Sequence, residues 1–251
     1  MKTIYQKLIY TLIISLLFSF SACSTPQHIS PKTALLQTGE TLAQQNENIQ
    51  LGVTLLEVPV NLVPDNRGEF MVGFDMGIGL NNYTDLTVDL CVSENSASVK
   101  SGLKFAYNKS QYLTLSAYPA YVYSPGSWDN TIAHTAELNF MITSRLVNWF
   151  AIYGAGRLFH DWINYENTLI DIRDTNTNEM THPIKAIQLN RAGFSLGTEI
   201  LNILYVEWGL HYLPHKNSDI ITDLSYGEPY RKTQHAFGIG VKFKTQIFKR
   251  K

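Results

Sequence analysis

Residues 69 to 80 read Glu-Phe-Met-Val-Gly-Phe-Asp-Met-Gly-Ile-Gly-Leu, and they alternate without a break. Phe70, Val72, Phe74, Met76, Ile78 and Leu80 fall on one face of an extended chain. Glu69, Met71, Gly73, Asp75, Gly77 and Gly79 fall on the other. Side chains of a strand point alternately to opposite sides, so this period of two dictates a β-strand with one apolar face. The same pattern returns along the chain. Leu86, Val88 and Leu90 alternate with Thr87, Asp89 and Cys91; Leu103 and Phe105 with Lys100, Gly102 and Lys104; Leu138 and Phe140 with Glu137 and Asn139. Later, Phe194 and Leu196 face away from Arg191, Ser195, Gly197 and Glu199; Val206 and Trp208 from Glu207, Gly209 and His211; Phe237, Ile239 and Val241 from Gly238, Gly240 and Lys242.

Strands are predicted at about 48–60, 69–80, 84–93, 97–107, 111–123, 132–144, 147–162, 185–201, 203–213 and 232–244. The second, fourth, sixth and eighth connections are short. The first, fifth, seventh and ninth are longer, and the third, Ser-Glu-Asn-Ser, is the weak member. Outer-membrane barrels alternate short periplasmic turns with long outer loops, and a soluble sandwich has no reason to. Aromatic residues mark both ends of the strands: Tyr83, Tyr107, Tyr112, Trp149 and Tyr205 by the short turns, Phe70, Tyr121, Tyr123, Trp162, Tyr165 and Tyr212 by the long loops. Two such belts suit two membrane interfaces. The expected fold is all-β: an antiparallel up-and-down transmembrane β-barrel of about ten strands (eight to ten), since closure satisfies every backbone group in lipid.

By parity the inward set includes Asp75, Asp89, Lys100, Lys104, Glu137, Arg191, Glu199, Glu207, His211 and Lys242. A barrel of this size has a narrow interior. The set is therefore expected to form a polar network that fills the lumen, with a narrow pore as the other outcome. Cys91 shares that face and is expected to be a small filler.

The start of the chain gives an address. Lys2 and Lys7 precede an apolar run, Leu8 to Phe20, that is too short to span a bilayer and suits a secretory signal peptide. Phe20-Ser21-Ala22-Cys23 resembles the lipobox of bacterial lipoproteins. That resemblance implies cleavage before Cys23, a lipid on its sulfur and an acylated N-terminus. Ser24 resembles the residue found in lipoproteins that enteric bacteria send to the outer membrane. Conventional cleavage with an unmodified Cys23 is the competing reading. The division expected is a signal peptide at 1–22, a lipidated polar tether at 23–47, and a barrel domain at 48–251. The body from about 48 to 248 resembles small bacterial outer-membrane barrels. Gly238 to Phe243 resembles the signal read by the barrel-assembly machinery, although the chain continues past it. The implied partners are outer-membrane lipid, the lipoprotein processing and sorting machinery, and the barrel-assembly machinery. With both chain ends on the short-turn side, the lipid is expected in the periplasmic leaflet.

Charge and cysteine count exclude other classes. Lys plus Arg is 20 against 21 for Asp plus Glu, so no basic surface calls for nucleic acid. With two cysteines, a cysteine-built zinc site is excluded, and no cofactor is expected. A rim hydrolase has candidates in His160, Asp161, His211 and His215, with Asp219 and Asp223 in the last loop, because a histidine beside a carboxylate can activate water. The lipid A deacylases' His-x-Ser pattern occurs at His28-Ile29-Ser30, in the tether rather than on a strand. The Gly-x-Ser-x-Gly pattern at Gly193 to Gly197 falls inside a predicted strand and not at the strand-to-helix turn of a nucleophile elbow. The favoured reading is a structural, surface-binding or narrow-pore barrel without catalysis, and loops 163–184 and 214–231 are the candidate binding surface. The alternatives are the rim hydrolase, of protease or lipid A-modifying type, and a periplasmic lipid-anchored soluble barrel that turns its apolar faces inward around a small ligand.

Overall fold

The computed structural model describes residues 32–60, 70–93, 96–110, 112–125, 131–165, 186–212 and 233–245. The strands are β1 (Ile49–Val58), β2 (Met71–Asn81), β3 (Thr84–Val92), β4 (Ala97–Ser110), β5 (Leu113–Pro125), β6 (Thr131–Val147), β7 (Phe150–Tyr165), β8 (Ala186–Ile200), β9 (Leu204–Tyr212) and β10 (Thr233–Thr245). Their ends lie within three residues of the predicted ones. Each strand pairs antiparallel with the next, and β10 pairs with β1, so the sheet closes into an up-and-down barrel. Closure leaves no unpaired edge.

The turns at 82–83, 148–149 and 201–203, and the junction of β4 with β5, lie at the end where β1 starts and β10 finishes; this is the short-turn end. The other strand ends mark the opposite, long-loop end; residues 61–69, 94–95, 126–130, 166–185 and 213–232, with His215, Asp219 and Asp223 among them, fall outside the described residues. Two irregularities have local causes. The β1–β10 register shifts between Thr54 and Leu56, inserting one residue into β1. Opposite Pro119, which has no N–H to give, the β4–β5 pairing breaks between Gly102↔Ala120 and Phe105↔Ala117.

The turn from β8 to β9 is tight. Ile203 N–H donates to Ile200 O at 3.1 Å, and between them Leu201 and Asn202 have φ of 56° and 60°. Such mirror-image turns match the twist of the flanking strands. Asparagine accepts that backbone readily; leucine does so at a cost of roughly 1–2 kcal/mol. The Leu201 side chain is exposed, so little packing offsets that cost. Leu201→Gly is expected to raise stability by about 1 kcal/mol, measured as a higher urea midpoint in lipid. An unchanged or lower midpoint would mean that contact of the leucine with lipid outweighs the strain.

The distribution of polarity is inside out relative to a soluble protein. Every strand holds an exposed large apolar side chain: Val53, Phe74, Leu90, Leu103, Leu115, Phe140, Leu158, Leu196, Trp208 and Phe243, in strand order. The alternative of a soluble barrel with an apolar interior is overturned, because those faces point outward and the charges inward. Tyr83, Tyr107, Tyr112 and Trp149 are exposed at the short-turn end, and Phe70, Tyr121 and Tyr212 at the other. Tyr123 and Trp162 are half-buried, and the Tyr165 side chain is outside the described part. Tyr205 is a correction: it belongs to no belt and is sealed inside the barrel, since it shares the parity of Glu207.

Candidate functional site

The lumen is occupied by the chain's own N-terminal segment. The sequence leads one to expect a tether outside the barrel at 23–47, yet from Lys32 to Leu42 the chain runs through the interior. Lys32, Thr33, Leu36 and Thr41 are fully buried there. The polar composition that suggests a linker equally suits a thread through a polar lumen. The glycine faces of β10 and β2 make the room. A Cβ on Gly238 would lie 2.9 Å from Ala34 Cβ, one on Gly240 3.2 Å from Leu36 Cδ1, and one on Gly79 3.3 Å from Leu42 Cβ. Leu35 packs with Tyr118, Ala120, Met141 and Ala155 on one side. Ala34 and Leu36 pack with Tyr153 and Tyr205 on the other.

Carboxylates on the barrel wall hold the thread by its backbone. Glu57 accepts from the N–H of Thr33 (2.7 Å) and of Ala34 (3.0 Å). Glu207 accepts from Leu35 N–H (3.0 Å), Leu36 N–H (2.7 Å) and the Tyr153 hydroxyl (2.9 Å). Thr143 Oγ1 accepts from Gly39 N–H at 2.7 Å, and Asp85 from Leu42 N–H at 2.9 Å. An irregular segment offers its amides to no ladder, so wall side chains must satisfy them. The thread ends in a single 3-10 turn, Ala43–Gln45, before β1.

Ion pairs fix both ends of the thread. Lys32 Nζ lies 3.3 Å from Asp75 Oδ1 and 3.4 Å from Glu57 Oε2, with Cys91 Sγ at 3.3 Å. Near the short-turn end Arg145 bonds Glu40 and also reaches Glu199 at 3.1 Å, while Lys244 meets Glu199 at 2.6 Å. Lys104 pairs with Asp85 at 3.2 Å. A recess of about 540 Å³ opens at this end between the 3-10 turn and the residues Tyr83 and Tyr107.

A second group of charges sits on β4 and β6 to β9. Lys100 pairs with Glu137 at 2.7 Å, and Arg157 reaches the same carboxylate at 3.4 Å and Asn139 Oδ1 at 2.9 Å. Arg191 pairs with Asp161 at 2.6 Å, and Thr135 donates to Asp161 at 2.6 Å. The Phe159 ring lies between the two guanidinium groups, 4.9 Å from that of Arg157 and 4.3 Å from that of Arg191. The His211 ring lies 5.0 Å from Phe159 and tilted 46° to it, and among the described residues neither of its ring nitrogens has a hydrogen-bond partner.

All ten residues assigned inward by parity lie inside, each at most 5% exposed. Cys91 fills space beside them. The rim pair does not come together. Asp161 points inward to Arg191. His160 points outward, with Nδ1 hydrogen-bonded to Asn190 Oδ1 at 2.5 Å and its ring edge-on to Trp162 at 4.2 Å. Neighbours on a strand face opposite ways, so sequence adjacency separates them. His211 lies in the lumen away from His160. Among the described residues no group of three or more His, Cys, Asp or Glu is placed to hold a metal ion. Cys23 falls outside the described residues.

Sequence reasoning missed Lys32, Glu57, Arg145 and Arg157. Arg157 has the parity of Tyr153 and Phe159 and could have been found. Glu57 could not, because the inserted residue in β1 reverses parity just before it.

No protein-family model matches this chain, and no curated protein matches it. Among solved structures, a bacterial polysaccharide outer membrane secretin is similar over 79% of this chain, at 10% identity and a TM-score of 0.38. BamA from Haemophilus ducreyi lacking POTRA domains 1-3 is similar over 82%, at 14% identity and a TM-score of 0.36. This chain spans 66% of the first and 42% of the second. A chain from a study of in-meso crystallization of membrane proteins is similar over 78% of this one, which spans 83% of it, at 8% identity and a TM-score of 0.33. These are likenesses below the level at which shape implies kinship; the barrel assignment rests on the strand pairing itself.

Proposed function

We propose that this chain is a lipid-anchored outer-membrane β-barrel, closed by its own N-terminal thread, with a structural or surface-binding role and no catalysis. One observation carries the membrane reading. All ten strands turn apolar side chains outward while the charged groups are sealed within. Soluble monomers rarely expose a contiguous apolar patch beyond a few hundred Å², whereas lipid is the natural surrounding for such a belt. The lipid on Cys23 rests on the lipobox resemblance. Outer-membrane lipid, the lipoprotein processing and sorting machinery, and the barrel-assembly machinery are its partners in this reading. The buried thread favours a closed lumen over a narrow pore. The opposed directions of His160 and Asp161 support the absence of rim hydrolysis.

The test compares the chain and its Cys23→Ala variant in outer-membrane fractions, run on gels with and without boiling. A closed membrane barrel is expected to shift mobility on heating, and Cys23→Ala is expected to remain in the membrane and keep that shift. Release of Cys23→Ala into the soluble fraction, with no heat-dependent shift in either form, would overturn the reading.

A further inference from the structure

We infer that the N-terminal chain leaves the barrel through its long-loop mouth, so that lipid carried on Cys23 enters the leaflet on that side, the outer one. The inference rests on the membrane reading above and reverses the periplasmic-leaflet placement expected from the sequence.

The direction of the thread carries the argument. Followed backward from β1, the chain meets the wall at successively higher levels. Thr41 Oγ1 donates to Asn82 O, in a short turn, and Glu40 is held by Arg145, beside the turn at 148–149. Leu36 and Leu35 donate to Glu207, inside β9. Ala34 and Thr33 donate to Glu57, one residue from the long-loop end of β1. Lys32 then reaches Cys91, one residue from the long-loop end of β3. The start of β1 at the short-turn end is therefore a hairpin of the whole chain and not its point of entry.

Two routes remain for the residues before Lys32. A return to the short-turn end would need a second pass through a cross-section that holds the thread, Tyr118, Tyr153 and Tyr205, all three tyrosines at most 1% exposed, along with the ion pairs among them. A close-packed interior has no room for another chain. The upward route crosses no such section of the thread. Its length suffices. Nine residues separate Lys32 from Cys23, which is ~30 Å of extended chain. The apolar band of such a barrel is about 25 Å tall, and Lys32 already stands near the upper ends of β1 and β3. The acyl chains of Cys23 can therefore reach the leaflet around the long-loop mouth, whose hydrocarbon is the only surrounding there that accepts them.

The experiment labels single cysteines in the full-length chain with a membrane-impermeant maleimide, in intact and in permeabilised Gram-negative cells. Thr25→Cys reports the exit, Thr175→Cys the long-loop side and Tyr83→Cys the short-turn side. Cys91 is buried and contributes little background. Thr25→Cys is expected to label in intact cells together with Thr175→Cys, and Tyr83→Cys only after permeabilisation. Labelling of Thr25→Cys with Tyr83→Cys, while Thr175→Cys still labels in intact cells, would overturn the inference and leave the membrane reading standing. One common pattern at all three positions would remove the membrane reading and the inference together.

Discussion

Glu207→Ala is expected to release the thread and turn a silent barrel into a leaky one. That carboxylate accepts from Leu35 N–H, Leu36 N–H and the Tyr153 hydroxyl, and Arg157 Nη1 stands 3.7 Å away. Removing it leaves two buried amides and a hydroxyl without an acceptor and weakens the balance at a fully buried guanidinium. Stranding one partner of a buried charge pair costs about 3–5 kcal/mol. The thread is held otherwise by Glu57, Asp85 and Arg145, so the middle should lift first. In planar bilayers the unaltered chain is expected to pass no steady current, and Glu207→Ala to pass a fluctuating one with a lower urea midpoint. Glu207→Gln keeps an acceptor oxygen and should lie between the two. A silent Glu207→Ala with an unchanged midpoint would mean that the thread contributes little to closure.

The second large effect is at Glu137. Its Oε2 serves Lys100, Arg157 and Asn139 Nδ2, all of them buried. Glu137→Ala strands Lys100 in the lumen and is expected to lower stability by about 3–5 kcal/mol. The pair Lys100→Met with Glu137→Met removes both charges and fills the space with apolar atoms. Such replacements are often neutral or favourable, so the double variant should be clearly more stable than Glu137→Ala alone. Coupling between residues in contact reaches about 0.5–3 kcal/mol, and urea titration in lipid resolves a difference of that size. Equal midpoints for the single and double variants would show that the two groups act independently.

These two sites mark where the sequence could be read and where it could not. Glu137 and Lys100 lie on long strands with unbroken alternation, so parity alone turns them inward. The closed barrel follows from the same signal, because a strand pattern needs only local backbone sterics and one-sided burial to declare itself. The thread has no such signal. Its amides are satisfied by Glu57, Glu207, Thr143 and Asp85, residues far away in sequence, and no periodicity is needed to meet them. The glycines at 79, 238 and 240 leave room for Leu42, Ala34 and Leu36 of the thread, which lie outside their own strands. Glu57 was hidden by a single inserted residue. His160 and Asp161 are neighbours in sequence but face opposite sides of β7, because adjacent residues of a strand point opposite ways.

The seam between β1 and β10 imposes an order on assembly. Those strands are adjacent in space and the full barrel apart along the chain, so the ring cannot be complete until the last strand has arrived. A segment that is covalently continuous with the seam strand can be swept inside while the ring is still open. Once the ring has closed, the same segment is enclosed, with its amides bonded to the wall at Glu57, Glu207, Thr143 and Asp85. Insertion of the thread and closure of the wall are thus one event.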